Sequence, residues 1–496
     1  MRPAVVGLAM LAVVHCPPAH AQGGEGIPAH PRELRFPERR FTVPYAEGYR
    51  HSLSNGVPVY VAEDHALPLV EVAVALRAGE YLDSPEKAGL AALTASMLRR
   101  GGTEALAPDA LDERLDFLAA ELNTGAGRLR AGASLSSPAW VLEEALDLLF
   151  DVLRRPRFDA ARLELARGNL LENLKHRNDD ALEVLGREWG WLLYGEDHFT
   201  TRPLTPARLA AISGQDLADF HRRFWHPGGM VVAVSGDVET RAILAALERR
   251  FTGWRRGEPA PWPPPAPGHQ PRPGLYHVEK DLPQAKVALG HLGAVRAGWE
   301  DPELFALTVM GEVLGGNAVS RIAGRLRTVE GLAYRAGASF GVGDHWPGEF
   351  RIHVETANST VALAARLAID EVERLRARAP SEEELGLAKR ALLGGFPLLF
   401  DTAEEIAGYF AEDEFLGRPH RFWRDYQAGI DRVTAEDLRR AAEKHLHPDR
   451  MLILTVGRWA EIEPGDAARR ASVADLYEGA VSWLPERDPV HLLPVK

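Results

Sequence analysis

The chain has 496 residues and a formal net charge of −12, with 46% hydrophobic and 26% charged residues. That length exceeds one ordinary core and predicts two or more domains, and the balanced composition excludes wholesale disorder. The acidic excess argues against a nucleic-acid or anionic-membrane partner, either of which would select a basic face.

The chain opens with MRPAVVGLAMLAVVHCPPAHAQ. Arg2 supplies a positive start, Ala4 to Val14 an apolar run too short to span a bilayer, and Ala19-His20-Ala21 a small-x-small cleavage site. Residues 1–21 therefore read as a secretory signal, which predicts export across the inner membrane, and a periplasmic location if the source is Gram-negative. The single cysteine, Cys16, falls inside this segment; a lipid-anchored cysteine is the competing reading, but His15 and the branched Val13 and Val14 fit it poorly. A mature chain without a thiol excludes disulfides, Cys-based metal sites and Cys nucleophiles. No later run is apolar enough to predict a membrane span.

After a polar lead-in, Val57–Ala62 and Leu69–Leu76 alternate as strands and read as a pair joined by Glu63 to Pro68. Helical patterns follow at Ala88–Arg99, Ala110–Leu122, Val141–Leu153 and Ala160–Lys175, with further helices to about Phe224 and a strand at Met230–Ser235. The order then recurs. Ser213/Thr434, Asp216/Asp437, Leu217/Leu438, His226/His447, Pro227/Pro448, Met230/Met451 and Gly236/Gly457 all sit 221 residues apart. Each copy has a Ser/Thr-x-x-Asp helix cap, one helix, a His-Pro turn and an apolar strand. A tandem duplication of an α+β unit accounts for that common offset. Between the copies, RRGEPAPWPPPAPGHQPRPG is dense in proline and reads as a stiff extended linker. The predicted organisation is residues 1–21 signal, 22–255 N-terminal domain, 256–274 linker and 275–496 C-terminal domain.

Within the second copy, Gly315 to Phe340 predicts a turn, a helix capped by Ser320, a stop at Gly331 and a strand from Leu332. Ile322, Leu326 and Val329 recur at helical spacing and predict one buried face. Arg327 and Tyr334 flank the corner, where a guanidinium and a phenol could donate to a carbonyl oxygen gaining negative charge. The competing reading is a surface arginine beside a half-buried core tyrosine. The histidines are scattered and form no His-x-x-His or His-x-x-x-His pair with an acidic neighbour, and no Gly-x-Ser-x-Gly elbow occurs.

The stretches LSNGVPVYVAEDHALPLV (Leu53 to Val70), AGEYLDSPEKAGLAALTASMLRRGGT (Ala78 to Thr103), RRFWHPGGMVVAVSGDV (Arg222 to Val238) and LGGNAVSRIAGRLRTVEGLAYRAGASF (Leu314 to Phe340) resemble the pitrilysin/insulinase family of zinc peptidases, in its processing-peptidase-like bacterial branch. The resemblance covers nearly all of the chain beyond Phe41. It implies two halves, each an antiparallel sheet with helices packed on it, enclosing a clam-like chamber for extended peptides. The family carries His-x-x-Glu-His just after the Gly-Leu-Ala that stands here as Gly89-Leu90-Ala91; two histidines four apart share a helix face and bind zinc, and the glutamate is the general base. The matching positions here are Ala92, Ala95 and Ser96, while the family's third ligand, a glutamate on a later helix, is matched to Glu172. A lone carboxylate cannot hold zinc tightly, so no metal or other cofactor is expected on this chain.

The family also has an arginine and a tyrosine seven positions apart that hold the substrate backbone and act on the tetrahedral intermediate; Arg327 and Tyr334 match them. In some bacterial members one subunit carries the metal motif and the other supplies this pair across the dimer. The resemblance therefore implies a non-zinc subunit of a secreted two-chain metalloendopeptidase, paired with a zinc-bearing homologue and acting on peptides or unfolded protein. The alternative is an inactive homologue that binds peptides or scaffolds a complex; an autonomous peptidase would need an unfamiliar site.

Overall fold

The computed structural model describes His30 and residues 41–495, so the predicted signal segment and Cys16 lie outside the described residues. The chain divides into residues 1–42 and a unit of residues 43–496, and both repeats belong to the latter. In the N-terminal half, β1 (Arg50–Ser52), β2 (Pro58–Glu63), β3 (Leu69–Leu76), β4 (Glu121–Ala126), β5 (Ala131–Pro138) and β6 (Met230–Gly236) form one sheet in the order β1-β2-β6-β3-β5-β4. The C-terminal half contributes β7 (Gly274–Glu279), β8 (Gln284–Leu292), β9 (Ala294–Val295), β10 (Ala333–Phe340), β11 (Val342–Gly343), β12 (Glu349–Ala357), β13 (Leu452–Gly457) and β14 (Val481–Leu484). Its main sheet runs β10-β12-β8-β13-β7-β14, and β9 pairs β11 separately.

Taken from the β14 edge, the second sheet repeats the first: β7 stands for β2, β13 for β6, β8 for β3, β12 for β5 and β10 for β4. Only the outer strand differs in origin. β1 precedes β2 and pairs with it antiparallel, whereas β14 comes from the chain end and pairs with β7 in parallel. The repeated caps are present as read: Ser213 with Asp216, and Thr434 with Asp437, each form a reciprocal capping box. These features establish an α+β fold made of two duplicated halves.

Several sequence expectations are corrected in detail. β2 and β3 are not neighbours, because β6 inserts between them, parallel to β2 and antiparallel to β3. The sheets are consequently mixed rather than wholly antiparallel, with β7 and β13 repeating the parallel pair. The reason lies in β6 itself. Its residues MVVAVSG are apolar on both faces and buried almost throughout, so it belongs at the sheet centre, whereas β3 alternates buried with more exposed residues. The helix expected at Ala110–Leu122 spans Pro108–Phe117; Ala119 takes a positive φ of 49° and Glu121 opens β4. β4 and β5, rich in Gly, Ala and Ser, carry little of the β-branched signal by which strands are recognised.

The halves interlock by exchanging helices. The helix Ala181–Tyr194 lies among the N-terminal half's helices in sequence, yet Val184, Leu185, Trp189 and Leu193 pack on Val278, Ala288, Leu454 and Val456 of the C-terminal sheet. Trp189 Nε1 also donates to Glu349 on β12 at 2.8 Å. Reciprocally, the helix Ala403–Leu416 of the C-terminal half lies on β2 and β6. There Phe410 packs against Tyr49 and Tyr60, and Glu414 accepts from the Tyr60 hydroxyl at 2.7 Å and Arg50 Nε at 2.9 Å. Each exchanged apolar side chain contributes roughly 1.5–3 kcal/mol on burial, so neither sheet is fully covered without the other half. The proline-rich stretch joins in: the Trp262 ring meets Arg77 and Tyr81 of the N-terminal half, and His345 and Phe415 of the C-terminal half. Among the described residues, no helix is long and apolar enough to cross a membrane.

Candidate functional site

The first region is the helix Leu90–Arg100, which carries the positions matched to the metal motif. Its start is held by Asp83, whose carboxylate accepts from the backbone N–H of Gly89 at 2.8 Å and of Ala91 at 2.9 Å. Burial nevertheless pushes the Asp83 carboxyl up to about 7, against those two bonds. Ala92 and Ser96 line a cavity of about 280 Å³ with Asn169 and Asn173 from the helix Ala160–Lys175, beside Phe199 and Arg202. Ala95 is fully buried, and its carbonyl accepts from Thr124 Oγ1 on β4 at 2.7 Å.

Glu172 does not line this cavity. Its side chain is 60% exposed and accepts from Lys175 Nζ at 2.6 Å, a bond that holds its pKa below the usual value. Each residue turns a helix by about 100°, so Asn173, not Glu172, faces Ala92 and Ser96. At the matched positions Ala92, Ser96 and Asn173 offer a methyl, a hydroxyl and an amide, which do not fit zinc; of the two carboxylates that also line the cavity, Glu80 and Asp83, the latter is engaged by the Gly89 and Ala91 N–H groups. Among the described residues, no three His, Cys, Asp or Glu side chains are arranged to hold a metal ion.

The second region is the corner between Arg327 and Tyr334. Ser320 precedes a short helix, Arg321–Ala323, but its hydroxyl donates to the carbonyl of Asn317 at 2.6 Å instead of capping. The chain then widens into a π-turn over Gly324–Val329 and stops at Gly331, whose φ is +63°. Ile322 and Leu326 are buried as expected, but Val329 is 69% exposed. The π-turn shifts the helical phase after Leu326 and rotates Val329 out, along with Arg327. The strand expected from Leu332 begins as β10 at Ala333.

β10 is the edge strand of its sheet, and its register jumps at its start: Ala333 faces Thr356 and Arg335 faces Glu355, with Tyr334 bulged between them. A bulge re-aims a side chain and ends regular pairing. Tyr334 is accordingly 80% exposed, with the Arg327 guanidinium carbon 5.1 Å from its ring centroid. It is not a half-buried core tyrosine. Both residues line a cavity of about 660 Å³ whose other walls come from β12 and from Leu182 and Leu185 on the exchanged helix. A second π-turn, Glu312–Gly316, closes one side, and Gly315 lies so near Ala338 that a Cβ would sit 1.9 Å from its backbone nitrogen. The two regions share no lining residue, so the cavity beside Ala92 and the one beside Arg327 are separate on this chain.

Some of this was outside the reach of sequence reasoning. The bulge at Tyr334, the two π-turns and Asn173 were all missed. Counting helix phase between Ala160 and Lys175 could have separated Asn173 from Glu172; nothing local announces the bulge.

Comparison with known proteins agrees with this construction. Residues 59–188 match the family model of the insulinases, peptidase family M16, and residues 211–392 match the peptidase M16 inactive domain. An uncharacterized zinc protease of Mycobacterium tuberculosis is 29% identical over 307 residues, covering 61% of this chain and 68% of that protein. A protein of Helicobacter pylori named a non-peptidase homolog is 25% identical over 398 residues, covering 78% of this chain and 89% of its own. Among solved structures, the peptidase M16 inactive domain from Pseudomonas fluorescens superposes with a TM-score of 0.73 at 25% identity, covering 82% of this chain and 97% of that one. With the duplicated sheets, the matched models and these relatives in agreement, the chain belongs to peptidase family M16, the insulinase family.

Proposed function

We propose that the chain is the non-zinc subunit of a secreted two-chain metalloendopeptidase, supplying Arg327 and Tyr334 to a site whose metal is held by a homologous partner. The observation that carries this reading is the pairing of an exposed Arg327/Tyr334 corner with a helix whose ligand positions are Ala92 and Ser96. Zinc on the partner would supply the Lewis acid and the activated water. This chain's own contribution is electrostatic. A phenol O–H on a bulged edge strand and a guanidinium on the π-turn before it donate to the scissile carbonyl oxygen as it gains negative charge, with little reorganisation. The free edge of β10 suits an extended peptide, which can add to a sheet edge by main-chain hydrogen bonds.

The second reading, a peptide-binding or scaffolding homologue without hydrolysis, is favoured by the name of the Helicobacter pylori relative. Co-expression with a His-x-x-Glu-His homologue from the same source separates the two. The expected result is one joint size-exclusion peak with peptidase activity that neither chain shows alone. A partner whose activity is unchanged by this chain sinks the first reading and supports the second. Export to the periplasm belongs to the same proposal and is checked by fractionating a Gram-negative host.

A further inference from the structure

A second cavity of the N-terminal half, of about 540 Å³, lies between the segment Arg154–Phe158, the helix Gly214–Phe224 with Trp225 behind it, and Trp254–Arg255. Five arginines line it, at 154, 155, 157, 222 and 255, and Glu104 is the only acidic residue on the wall. In a chain of net charge −12, such a set is not a by-product of general basicity.

Carboxylates neutralise two of the five. Arg155 pairs with Asp151, and Arg222 donates to Asp219 at 2.6 Å. The other three are not paired in this way. Arg154 donates to the Arg250 carbonyl at 2.6 Å, and Arg157 to the carbonyls of Thr103 at 3.1 Å and Glu104 at 3.3 Å. Arg255 has no hydrogen-bond or ion-pair partner among the described residues. Burial and the neighbouring Arg155 charge both push the Arg154 pKa down, so positive charge there is held at a cost that an anion would relieve.

The wall is firmly built. Arg157 N–H donates to the Gly102 carbonyl and Glu104 N–H to the Arg155 carbonyl, both at 2.9 Å, and Phe158 holds a left-handed φ of +52°. The remaining surface is aromatic. Arg154 lies 5.4 Å from the Trp254 ring centroid, and Trp225 is only 2% exposed, with an indole N–H that has no acceptor among the described residues.

We propose that this cavity binds a phosphorylated small molecule, with Arg154, Arg157 and Arg255 taking the phosphate and the aromatic walls taking the remainder. Guanidinium forks match phosphate oxygens, and the volume is that of a small-molecule site. A long polyanion would meet the negative field of the rest of the chain. The site shares no residue with either cavity described above and does not depend on the peptidase reading.

The test is isothermal titration calorimetry of the full exported chain with inorganic pyrophosphate and, separately, adenosine monophosphate. At least one should bind, and Arg154→Gln and Arg157→Gln should each weaken it by about tenfold, the scale of one charge-assisted hydrogen bond. Arg222→Gln, whose charge is already neutralised, should change it by less than about twofold. Pyrophosphate binding alone identifies a free phosphate ligand, and tighter adenosine monophosphate binding identifies an ester. Circular dichroism checks each fold; if Arg154→Gln unfolds, the solvent-facing Arg255→Gln replaces it. Absence of binding by both probes, affinity indifferent to the arginine substitutions, or binding of heparin without either probe overturns the proposal.

Discussion

The two halves carry the same sheet and set different side chains on it. In the N-terminal half the helix Leu90–Arg100 retains its start, held by Asp83, and its packing through the buried Ala95, while the positions that would bind metal are a methyl and a hydroxyl. In the C-terminal half the donors Arg327 and Tyr334 stand exposed at the end of a π-turn and on a bulge. The difference teaches that a fold and the side chains it displays can vary separately. Alanine and serine satisfy a helix as well as histidine does, so nothing in folding protects a ligand. An exposed tyrosine on a bulged edge strand, by contrast, contributes little to packing.

The largest expected effect tests whether the first half has lost only its donors. The unaltered chain is expected to hold no stoichiometric zinc, and Ala92→His and Ser96→His combined with Asn173→Glu should give one holding about one zinc per chain, measured by metal analysis after dialysis. The same two histidines with Asn173 retained, leaving Glu172 as the only nearby carboxylate of that helix pair, should hold it far more weakly, because Glu172 faces solvent and Lys175. Tight zinc on the unaltered chain, lost on Glu172→Ala, would reverse the comparison.

The next effect tests the second half within the proposed complex. Tyr334→Phe deletes one hydroxyl and should lower turnover by about 10²–10³-fold, or roughly 2.7–4 kcal/mol, with a smaller change in apparent affinity. At 80% exposure the ring contributes little to the core, so the melting temperature should not move. Arg327→Ala should damage turnover and affinity together. Turnover within about twofold of wild type for Tyr334→Phe, in an intact dimer, would remove the tyrosine from the mechanism.

The smallest effect concerns the anchor of the first half. Burial moves the Asp83 carboxyl from the usual 3.8 to about 7, so between those values the folded chain keeps a proton that the unfolded chain has released. The stability carried by the neutral form is full below the lower value and is lost as pH rises through the upper one. Asp83→Asn, which is neutral throughout, should flatten the fall in melting temperature across that window. An unchanged pH profile would show that the two backbone N–H bonds, rather than burial, govern this carboxyl.

Much of the fold was legible because repeats write local signals twice. The Ser213 and Thr434 caps, the His-Pro turns and the apolar strands behind them each specify a local structure by short-range hydrogen bonding and hydrophobic pattern, and both copies fold as read. That Ala92, Ala95 and Ser96 carry neither imidazole nor carboxylate is itself a fact of the sequence and needs no tertiary context. What only the tertiary structure decided is where long-range burial overrules local pattern. The insertion of β6 between β2 and β3 follows from its two apolar faces competing for the sheet centre. The exchange of the helices Ala181–Tyr194 and Ala403–Leu416 follows from each sheet having a face that its own half leaves uncovered. The outward turn of Tyr334 rests on a one-residue register shift, a small displacement that packing sets and no single-residue preference records.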